Sequence, residues 1–252
     1  MHNLGWTRSS QQPNHLLLTP DTFVRTALPG MSKCTAIVHI SPALGARFTQ
    51  YTAEFEVGGE LGNTPAQRFI FVIEGAVKLE VGEKSKKLSA NGYAYIPEGL
   101  HHGISAIKAS RVAVIEKRYE SLDSINLPQL IVSREDAVSS HALGDDPGLQ
   151  VKCLLPDQPP DAMTFDFAVN TMVYQPGAAL SMVEMHLMEH GLIMLEGGGI
   201  YRLGDSWYPV TAGDFIWMAP WCPQWFGAIG KVPAKYLIYK DWNRHPLAGL
   251  HP

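Results

Sequence analysis

Short runs of apolar residues that alternate with polar ones, separated by glycine and proline, occupy most of the chain after residue 33. Residues 51 to 57 alternate in this way before the pair Gly58-Gly59, and the runs RFIFVIEG, AVKLEVG and YAYIPEG follow. A period of two bounded by turn residues is typical of β-strands joined by tight turns. Patterns typical of helices are scarce. The sequence therefore predicts an all-β chain with little helix.

The pattern of strands occurs twice along the chain. The segment RFIFVIEGAVKLEVGEKSKKLSANGYAYIPEG, which starts at Arg68, aligns with HGLIMLEGGGIYRLGDSWYPVTAGDFIWMAP, which starts at His190. The strands that follow also agree, around Lys117 in the first copy and Lys240 in the second. The punctuating residues match in pairs: Glu74-Gly75 with Glu196-Gly197, Gly92 with Gly213, and Pro97 with Pro220. A period of roughly 120 residues suits a duplicated small domain, so we predict two β-barrels in tandem.

The pattern divides the chain into four predicted parts. Residues 1–33 lack a clear period and are predicted to form an arm, of the kind that packs across a neighbouring domain or subunit. Residues 34–125 and 163–252 are the two predicted barrels. Residues 126–162 contain several prolines and a capping-box pattern that starts at Ser133, which predicts a linker with one short helix.

The composition narrows the class of function. The chain has 252 residues, a net charge of -4 and a pI near 6.2, so it offers no basic field for nucleic acid or anionic lipid. No apolar run approaches the roughly 18 residues of a membrane span. The three cysteines are far apart and odd in number, which predicts reduced thiols in a cytoplasmic protein. Small-molecule chemistry remains, in a protein that we expect to be a homo-oligomer because barrel edges and terminal arms often pair between subunits.

The candidate chemistry lies in the stretch Glu184-Met-His186-Leu-Met-Glu-His190 of the second copy. In a β-strand, Glu184 and His186 leave the same face, and His190 arrives around the next bend, so three donors can converge on one cation. The first copy has Gly62, Thr64 and Arg68 at these positions, and its lone His102 has no partner donors. We therefore predict that the first barrel is a metal-free scaffold and that the second is the active one.

The spacing of these donors resembles the first metal motif of the cupin superfamily, with Glu and His exchanged. Cupins place a last histidine eleven residues after the glycine that corresponds to Gly213, and Gln224 stands there in this chain. Taken alone, Gln224 is a polar residue at a barrel rim, but its register with three other donors makes it a predicted ligand. Oxygen and imidazole donors without a thiolate favour Mn(II), with Fe(II), Co(II) or Ni(II) as competitors.

Three further residues are candidates for contact with a ligand. In the run AKYLIYKDW, Tyr236 and Lys240 share one face of the predicted strand and are candidates for the barrel interior. An inward lysine requires an anionic partner, either Glu184 or a carboxylate of the substrate. The alternative is a lysine at the strand end that reaches solvent. Tyr201, in GGGIYRLG, is a further candidate for the same wall.

These motifs, together with the opening LLTPDTFVRTALPG and the ending YLIYKDWNR, resemble the (S)-ureidoglycine aminohydrolases, two-cupin enzymes of allantoin degradation, over about residues 15 to 245. The resemblance implies Mn(II) in the second cupin barrel and the release of ammonia from (S)-ureidoglycine to give (S)-ureidoglycolate. It implies metal ligation by Glu184, His186, His190 and Gln224. It implies contact with the substrate by Tyr236 and Lys240, and by Glu184 and Gln224 as well.

The predicted catalytic residues are Lys240 and Glu184. Lys240 is suited to neutralise the substrate's carboxylate, and Glu184 is suited to move protons beside the metal. Two other functions stay open at this point. One is a different metal-dependent cupin enzyme, such as a dioxygenase or isomerase that acts on a small carboxylate. The other is a non-catalytic protein with two cupin barrels that binds a metabolite.

Overall fold

The computed structural model describes residues 6–245, and its regular elements are β-strands and 3-10 turns. The chain forms two compact units. Residues up to Phe23 and from Ser139 onward make one, here called the C-terminal unit, and Val24–Val138 make the other, the N-terminal unit. No helix within residues 6–245 is both long enough and apolar enough to cross a membrane.

Twenty-one strands and four 3-10 turns account for the regular structure of the described residues. The strands are β1 (Ser10–Gln12), β2 (His15–Leu18), β3 (Arg25–Thr26), β4 (Met31–Ile40), β5 (Thr49–Leu61), β6 (Gln67–Glu74), β7 (Ala76–Val81), β8 (Lys84–Ser89), β9 (Gly92–Ile96), β10 (Gly103–Ala106), β11 (Ser110–Lys117), β12 (Ile131–Arg134), β13 (His141–Leu143), β14 (Asp146–Cys153), β15 (Phe167–Tyr174), β16 (His190–Glu196), β17 (Gly198–Leu203), β18 (Ser206–Thr211), β19 (Phe215–Met218), β20 (Gln224–Ala228) and β21 (Ala234–Asp241). The 3-10 turns are Pro20–Thr22, Pro42–Leu44, Glu135–Ala137 and Asp161–Thr164.

The N-terminal unit is a sheet with the order β12-β9-β6-β11-β5-β10-β7-β8, and β4 pairs with β3 and β5. All neighbouring strands are antiparallel. The long strand β5 pairs with β11 in its first half and with β10 at its end. Alternate side chains of β5, β6 and β11, among them Tyr51, Ile70 and Val114, form the apolar core. This is the packing that the period of two predicts.

The C-terminal unit contains an eight-stranded sheet with the order β1-β2-β19-β16-β21-β15-β14-β13 and a three-stranded sheet with the order β18-β17-β20. Its core includes Leu192, Met194, Phe226 and several tyrosines. The chain's first strands thus complete this unit, since β2 pairs with β19. Arg8 reinforces the connection through two hydrogen bonds to the buried Asp214 carboxylate, at 2.5 and 2.9 Å.

The internal repeat is visible in the strand pairings. Strands β6 to β11 correspond in order and register to β16 to β21, because Arg68 pairs with Ile96 and Glu116, whereas His190 pairs with Met218 and Lys240. The all-β class with two barrels is confirmed. The counterpart of Lys240 is therefore Glu116.

In the register of the strands, three matches of the predicted repeat shift by one residue: Lys117 with Lys240, Pro97 with Pro220, and Gly92 with Gly213. The register makes Asn91 the counterpart of Gly213. Asn91 and Gly213 both have positive φ, 64° and 93°, and both donate a backbone hydrogen bond to β6 or β16, at Val72 O and Met194 O. The left-handed turn thus accepts asparagine as well as glycine, and a match of glycine to glycine misplaces it.

Parts of the predicted arm and linker are strands that join the sheets of the two units. The arm, 1–33, divides between the units, since β1 and β2 join the C-terminal unit and β3 joins the N-terminal one. The linker, 126–162, supplies β12 to the N-terminal unit and β13 and β14 to the C-terminal one. Ser133 lies in β12 and does not cap a helix; a single 3-10 turn follows at Glu135–Ala137. Residues 1–5 and 246–252 lie outside the described residues.

Candidate functional site

The segment that carries Glu184 and His186 is not a continuous strand, contrary to the prediction from its alternation. It makes a single bridge, in which Glu184 N donates to Gln224 O at 2.8 Å and Gln224 N donates to Glu184 O at 2.9 Å. Trp221 N holds the carbonyl of His186 at 2.8 Å. Even so, both side chains line one cavity of the C-terminal unit, as the alternation predicts.

His190 is held in the tautomer that a metal ligand requires. Its Nδ1 lies 3.2 Å from the carbonyl oxygen of Tyr239, which can only accept, so Nδ1 carries the hydrogen and Nε2 presents a lone pair. Burial lowers the pKa of His190 to about 3, with smaller contributions in the same direction from His186 and Lys240. The imidazole is therefore neutral at physiological pH.

The side-chain nitrogens around His186 cannot all be satisfied by hydrogen bonds. His186 Nε2 lies 3.2 Å from His190 Nε2 and 3.0 Å from Gln224 Nε2. To bond with His190 it must donate, whereas to bond with the Gln224 amide it must accept. Neighbouring ligand atoms around a cation with bonds of about 2.1 Å are themselves about 3 Å apart. The spacing therefore fits ligands of one cation once the Gln224 amide turns, which exchanges its two ends: Oε1 then faces His186, and Nε2 faces the Tyr201 hydroxyl that Oε1 contacts in the structure.

Glu184 completes the donor set less tightly. Its Oε2 lies 3.9 Å from His186 Nε2. Within the described residues, no three His, Cys, Asp or Glu side chains are gathered closely enough to form a metal site by themselves. Nδ1 of His186 is buried without a hydrogen-bond partner. The donors that come together are thus the two imidazoles and the Gln224 amide, with Glu184 adjacent.

Three tyrosines surround these donors in the core. Tyr201 donates its hydroxyl hydrogen to Gln224 Oε1 at 3.2 Å, and the hydroxyls of Tyr236 and Tyr174 lie 2.7 Å apart. Burial raises the pKa of each of the three. The phenols are therefore neutral groups that donate or accept hydrogen bonds inside the cavity, where Tyr201 and Tyr236 both line the wall as predicted.

Lys240 projects into the same cavity from β21, where it stands opposite His190. Its Nζ lies 4.8 Å from the centre of the Trp242 ring. No carboxylate of the described residues lies within ion-pair distance, so Glu184 is not its salt-bridge partner. Burial lowers the pKa of Lys240, and the surrounding groups Cys153, Glu184 and Asp157 oppose that shift from longer range.

The cavity has a volume of about 390 Å³. Its lining includes residues that the sequence did not single out: Asn170, Met172, Cys153, Asp157, Gln158, His141 and Trp242. For Asn170, Met172 and the adjacent Tyr174, the alternation along β15 was the available signal, since the three share a face. The N-terminal unit has a larger cavity of about 920 Å³, but none of the predicted site residues lines it.

The corresponding place in the N-terminal unit is filled by Arg68. Its Nη1 donates to Gly62 O and to His102 Nε2, each at 2.8 Å, and its Nη2 lies 2.7 Å from Glu116 Oε1. His102 Nδ1 donates to Leu100 O at 2.7 Å, so His102 is neutral, with its lone pair toward the guanidinium. His102 is a fully hydrogen-bonded barrel histidine.

Comparisons with known proteins agree with this arrangement. Residues 43–119 match the EutQ-like cupin domain family, and residues 170–239 match the Cupin domain family. The crystal structure of protein Ylba from E. coli has a TM-score of 0.83 with this chain at 28% identity, over 95% of this chain and 96% of that one. Both repeats are therefore cupin domains.

Two curated relatives give the family more narrowly. An (S)-ureidoglycine aminohydrolase of Arabidopsis thaliana is 43% identical over 96% of this chain and 80% of that protein. An (S)-ureidoglycine aminohydrolase of Escherichia coli (strain K12) is 31% identical over 92% of this chain and 89% of that protein. By this similarity over nearly its whole length, the chain is an enzyme that belongs to the (S)-ureidoglycine aminohydrolase family.

Proposed function

We propose that the protein is a Mn(II)-dependent hydrolase that releases ammonia from (S)-ureidoglycine and forms (S)-ureidoglycolate. The names of its relatives support the substrate. One observation of the structure carries the proposal. A single cavity joins the donors His186, His190 and Gln224 to a buried ammonium, Lys240, that has no carboxylate partner among the described residues. Such a cavity suits a small amino acid derivative with a free carboxylate.

Glu184, His186, His190 and Gln224 are the residues that would hold the metal. The set is oxygen and imidazole only, which suits Mn(II) and leaves Fe(II), Co(II) and Ni(II) as competitors. When bound, such a cation supplies Lewis acidity and fixes the orientation of polar groups on the substrate. With four protein ligands on an ion that prefers six, about two positions remain for substrate or water.

The proposed reaction replaces an amine by a hydroxyl at one carbon. The bond between that carbon and the amino nitrogen breaks, a bond to a water oxygen forms, and a water hydrogen ends on the departing ammonia. Lys240 binds the carboxylate and so fixes the substrate's orientation. Glu184 carries the proton between water and the leaving amine. The Tyr236 hydroxyl, beside that of Tyr174, offers a neutral hydrogen-bonding group in the wall.

The test is direct. Protein loaded with Mn(II) is incubated with freshly generated (S)-ureidoglycine, and ammonia is followed against the spontaneous loss. We expect acceleration together with one metal per chain by elemental analysis. No acceleration with metal bound would sink the proposal. Oxygen consumption by the iron-loaded protein would instead point to a dioxygenase, and tight ligand binding without turnover would point to a metabolite-binding protein.

Self-association is part of the proposal. The residues that alternate with Glu184 and His186 project outward as an apolar strip, with Val183 41%, Met185 62% and Leu187 37% exposed, beside Trp221 at 60%. A second copy of the chain is the proposed occupant of this strip. Met185→Glu is expected to lower the molar mass in light scattering; an unchanged mass would place the contact elsewhere.

The three free cysteines support the proposed cytoplasmic location.

A further inference from the structure

The ammonium of Lys240 is held by neutral groups. With the Asn170 amide oriented so that its nitrogen donates to Val169 O at 3.0 Å, its oxygen accepts from Lys240 Nζ at 3.2 Å. The ring of Trp242 lies 4.8 Å from Nζ on another side. Asn170 is itself 5% exposed. Lys240 is thus fixed in place without any cancellation of its charge.

Holding a lysine in one geometry has a physical purpose here. A lysine stem carries about 2 kcal/mol of rotamer entropy, which a loose side chain loses only when the ligand binds. Contacts with an amide oxygen and an aromatic face restrict the rotamers of the lysine before the ligand binds. They still leave N–H donors of the ammonium for the ligand. A carboxylate in place of the amide would also fix the lysine, but it would satisfy the charge and compete with an anionic ligand.

The first cupin repeat shows that the two positions interact through the fold. Asn170 pairs with Ile238 across β15 and β21, and Tyr51 pairs with Val114 at the same register of β5 and β11. Tyr51 donates its hydroxyl hydrogen to Glu116 at 3.0 Å, and Glu116 is the counterpart of Lys240. In both repeats, then, equivalent side chains are in contact: Tyr51 contacts Glu116 in the N-terminal unit, and Asn170 contacts Lys240 in the C-terminal unit.

We propose that Asn170 and Trp242 are positioning residues that hold Lys240 as the receptor for the ligand's carboxylate, and that the neutrality of Asn170 keeps the receptor open. The identity of the ligand rests on the proposed function. Asn170 and Trp242 affect the ligand only by holding Lys240 in place. The proposed reaction itself takes place at the metal ligands.

Binding of two stable analogues tests the proposal on the full, Mn(II)-loaded chain. Ureidoacetate keeps the carboxylate and the ureido group but lacks the amine that leaves, so it cannot be turned over. Its carboxamide differs from it only in charge. In titration calorimetry we expect Asn170→Asp to weaken ureidoacetate by about 10- to 100-fold and to leave the carboxamide within about threefold. Asn170→Ala is expected to weaken ureidoacetate by about 3- to 10-fold.

Trp242 has its own matched pair of variants. Trp242→Phe keeps an aromatic face and is expected to bind ureidoacetate about as the wild type does, whereas Trp242→Leu is expected to bind it about threefold more weakly.

The melting temperature of Asn170→Asp is expected to equal or exceed that of the wild type, because the new carboxylate meets a buried ammonium. A merely structural role for Asn170 would weaken both analogues alike.

Several outcomes would overturn the proposal. They are failure of the wild type to bind ureidoacetate, equal binding by Asn170→Asp and the wild type, and equal losses for the acid and the carboxamide. Failure of the proposed function is distinguishable from these. If the wild type releases no ammonia from (S)-ureidoglycine, yet Asn170→Asp still selects against the carboxylate analogue, the positioning role stands and the substrate must be sought among other small carboxylates.

Discussion

The two cupin repeats place ionisable side chains at the same two positions of the same fold, but only the N-terminal repeat pairs them in a salt bridge. In the N-terminal unit, Arg68 and Glu116 form a salt bridge of 2.7 Å, and His102 accepts from the guanidinium. In the C-terminal unit, the counterpart of Arg68 is His190, a neutral imidazole, and the counterpart of Glu116 is Lys240, a cation. These two side chains form no ion pair. The N-terminal repeat thus neutralises its central charges by an internal ion pair, whereas the ammonium of Lys240 has no carboxylate partner among the described residues.

Hydroxyl groups follow the same division. The register of the strands makes Phe55, Leu79 and Val112 of the N-terminal unit the counterparts of Tyr174, Tyr201 and Tyr236, and all six lie in the two apolar cores. The guanidinium of Arg68 occupies the position of His190, one of the proposed metal ligands, and is a cation that belongs to the chain itself. The same fold thus accommodates an internal ion pair at its centre in one repeat and a cavity lined by polar groups in the other.

The largest contrast is expected between the two histidine variants His186→Ala and His102→Ala. Loss of His186 removes a central donor, so we expect the metal content to fall from one per chain toward zero and ammonia release to fall by roughly 1000-fold or more. His102→Ala is the matched control and is expected to keep its metal, as elemental analysis will show. Two metals per chain in the wild type would contradict this division of roles.

The second test removes the internal cation of the N-terminal unit. Arg68→Met removes the guanidinium that contacts both Glu116 and His102, at a cost of about 3 to 5 kcal/mol in the free energy of unfolding. Because all six tryptophans lie outside residues 24–138, far-UV circular dichroism should show an early urea transition that tryptophan fluorescence misses. The double variant Arg68→Met with Glu116→Leu should recover most of the loss. A stable single variant would refute the role of the ion pair.

The third test concerns acid. His39 is buried, with its Nε2 2.8 Å from Thr52 Oγ1, and burial lowers its pKa to about 3. Because this pKa lies below the unfolded value of about 6.5, His39 favours the folded state fully above that pH, and the advantage shrinks as pH falls toward 3. The slope is about 1.4 kcal/mol per pH unit for one proton. Unfolding of His39→Gln, measured from pH 6 to 4, should show a shallower slope; equal slopes would exclude His39 as the cause.

The smallest effect is expected at the tyrosine pair. Tyr174→Phe gives the C-terminal unit the residue that the N-terminal unit has at Phe55, and it removes the partner of the Tyr236 hydroxyl. A lost hydrogen bond of about 1 kcal/mol predicts a decrease in kcat/KM of about fivefold, without loss of metal. Phe55→Leu is the control and should leave kcat/KM unchanged. Identical kinetics of Tyr174→Phe and the wild type would show that Tyr236 needs no partner.

Much of this site could be predicted from the sequence, because strand periodicity and an internal repeat are local patterns. Tyr236 and Lys240 were placed on one face by their spacing alone, and both line the cavity. The comparison of Arg68 with His190 could also be made by alignment. What the alignment lacked was the hydrogen bonding of Arg68, which fills the centre of the first barrel with contacts to Gly62, His102 and Glu116.

Other features depend on contacts between distant parts of the chain. Asn170 looks like any polar residue of an alternating strand until Lys240 is placed beside it. The alternation around Glu184 predicts a strand, yet residues 182–185 make one isolated bridge, at Glu184, and expose Met182 and Met185, at 67% and 62%. No local pattern reveals that Leu17 pairs with Ile216, because the partner lies about two hundred residues away in sequence.

The pairing of β2 with β19 has a consequence for how the protein is made. The N-terminal unit can fold while the ribosome is still extending the chain, because its strands are contiguous in sequence. The C-terminal unit cannot, since β2 is synthesised early and must wait for its partner β19. Strand β21 is synthesised later still and takes its place in the middle of the sheet, between β16 and β15. Strands β1 and β2, which precede the N-terminal unit in the sequence, thus belong to the unit that folds last. The proposed metal site therefore becomes complete only late in synthesis, after β21 has emerged.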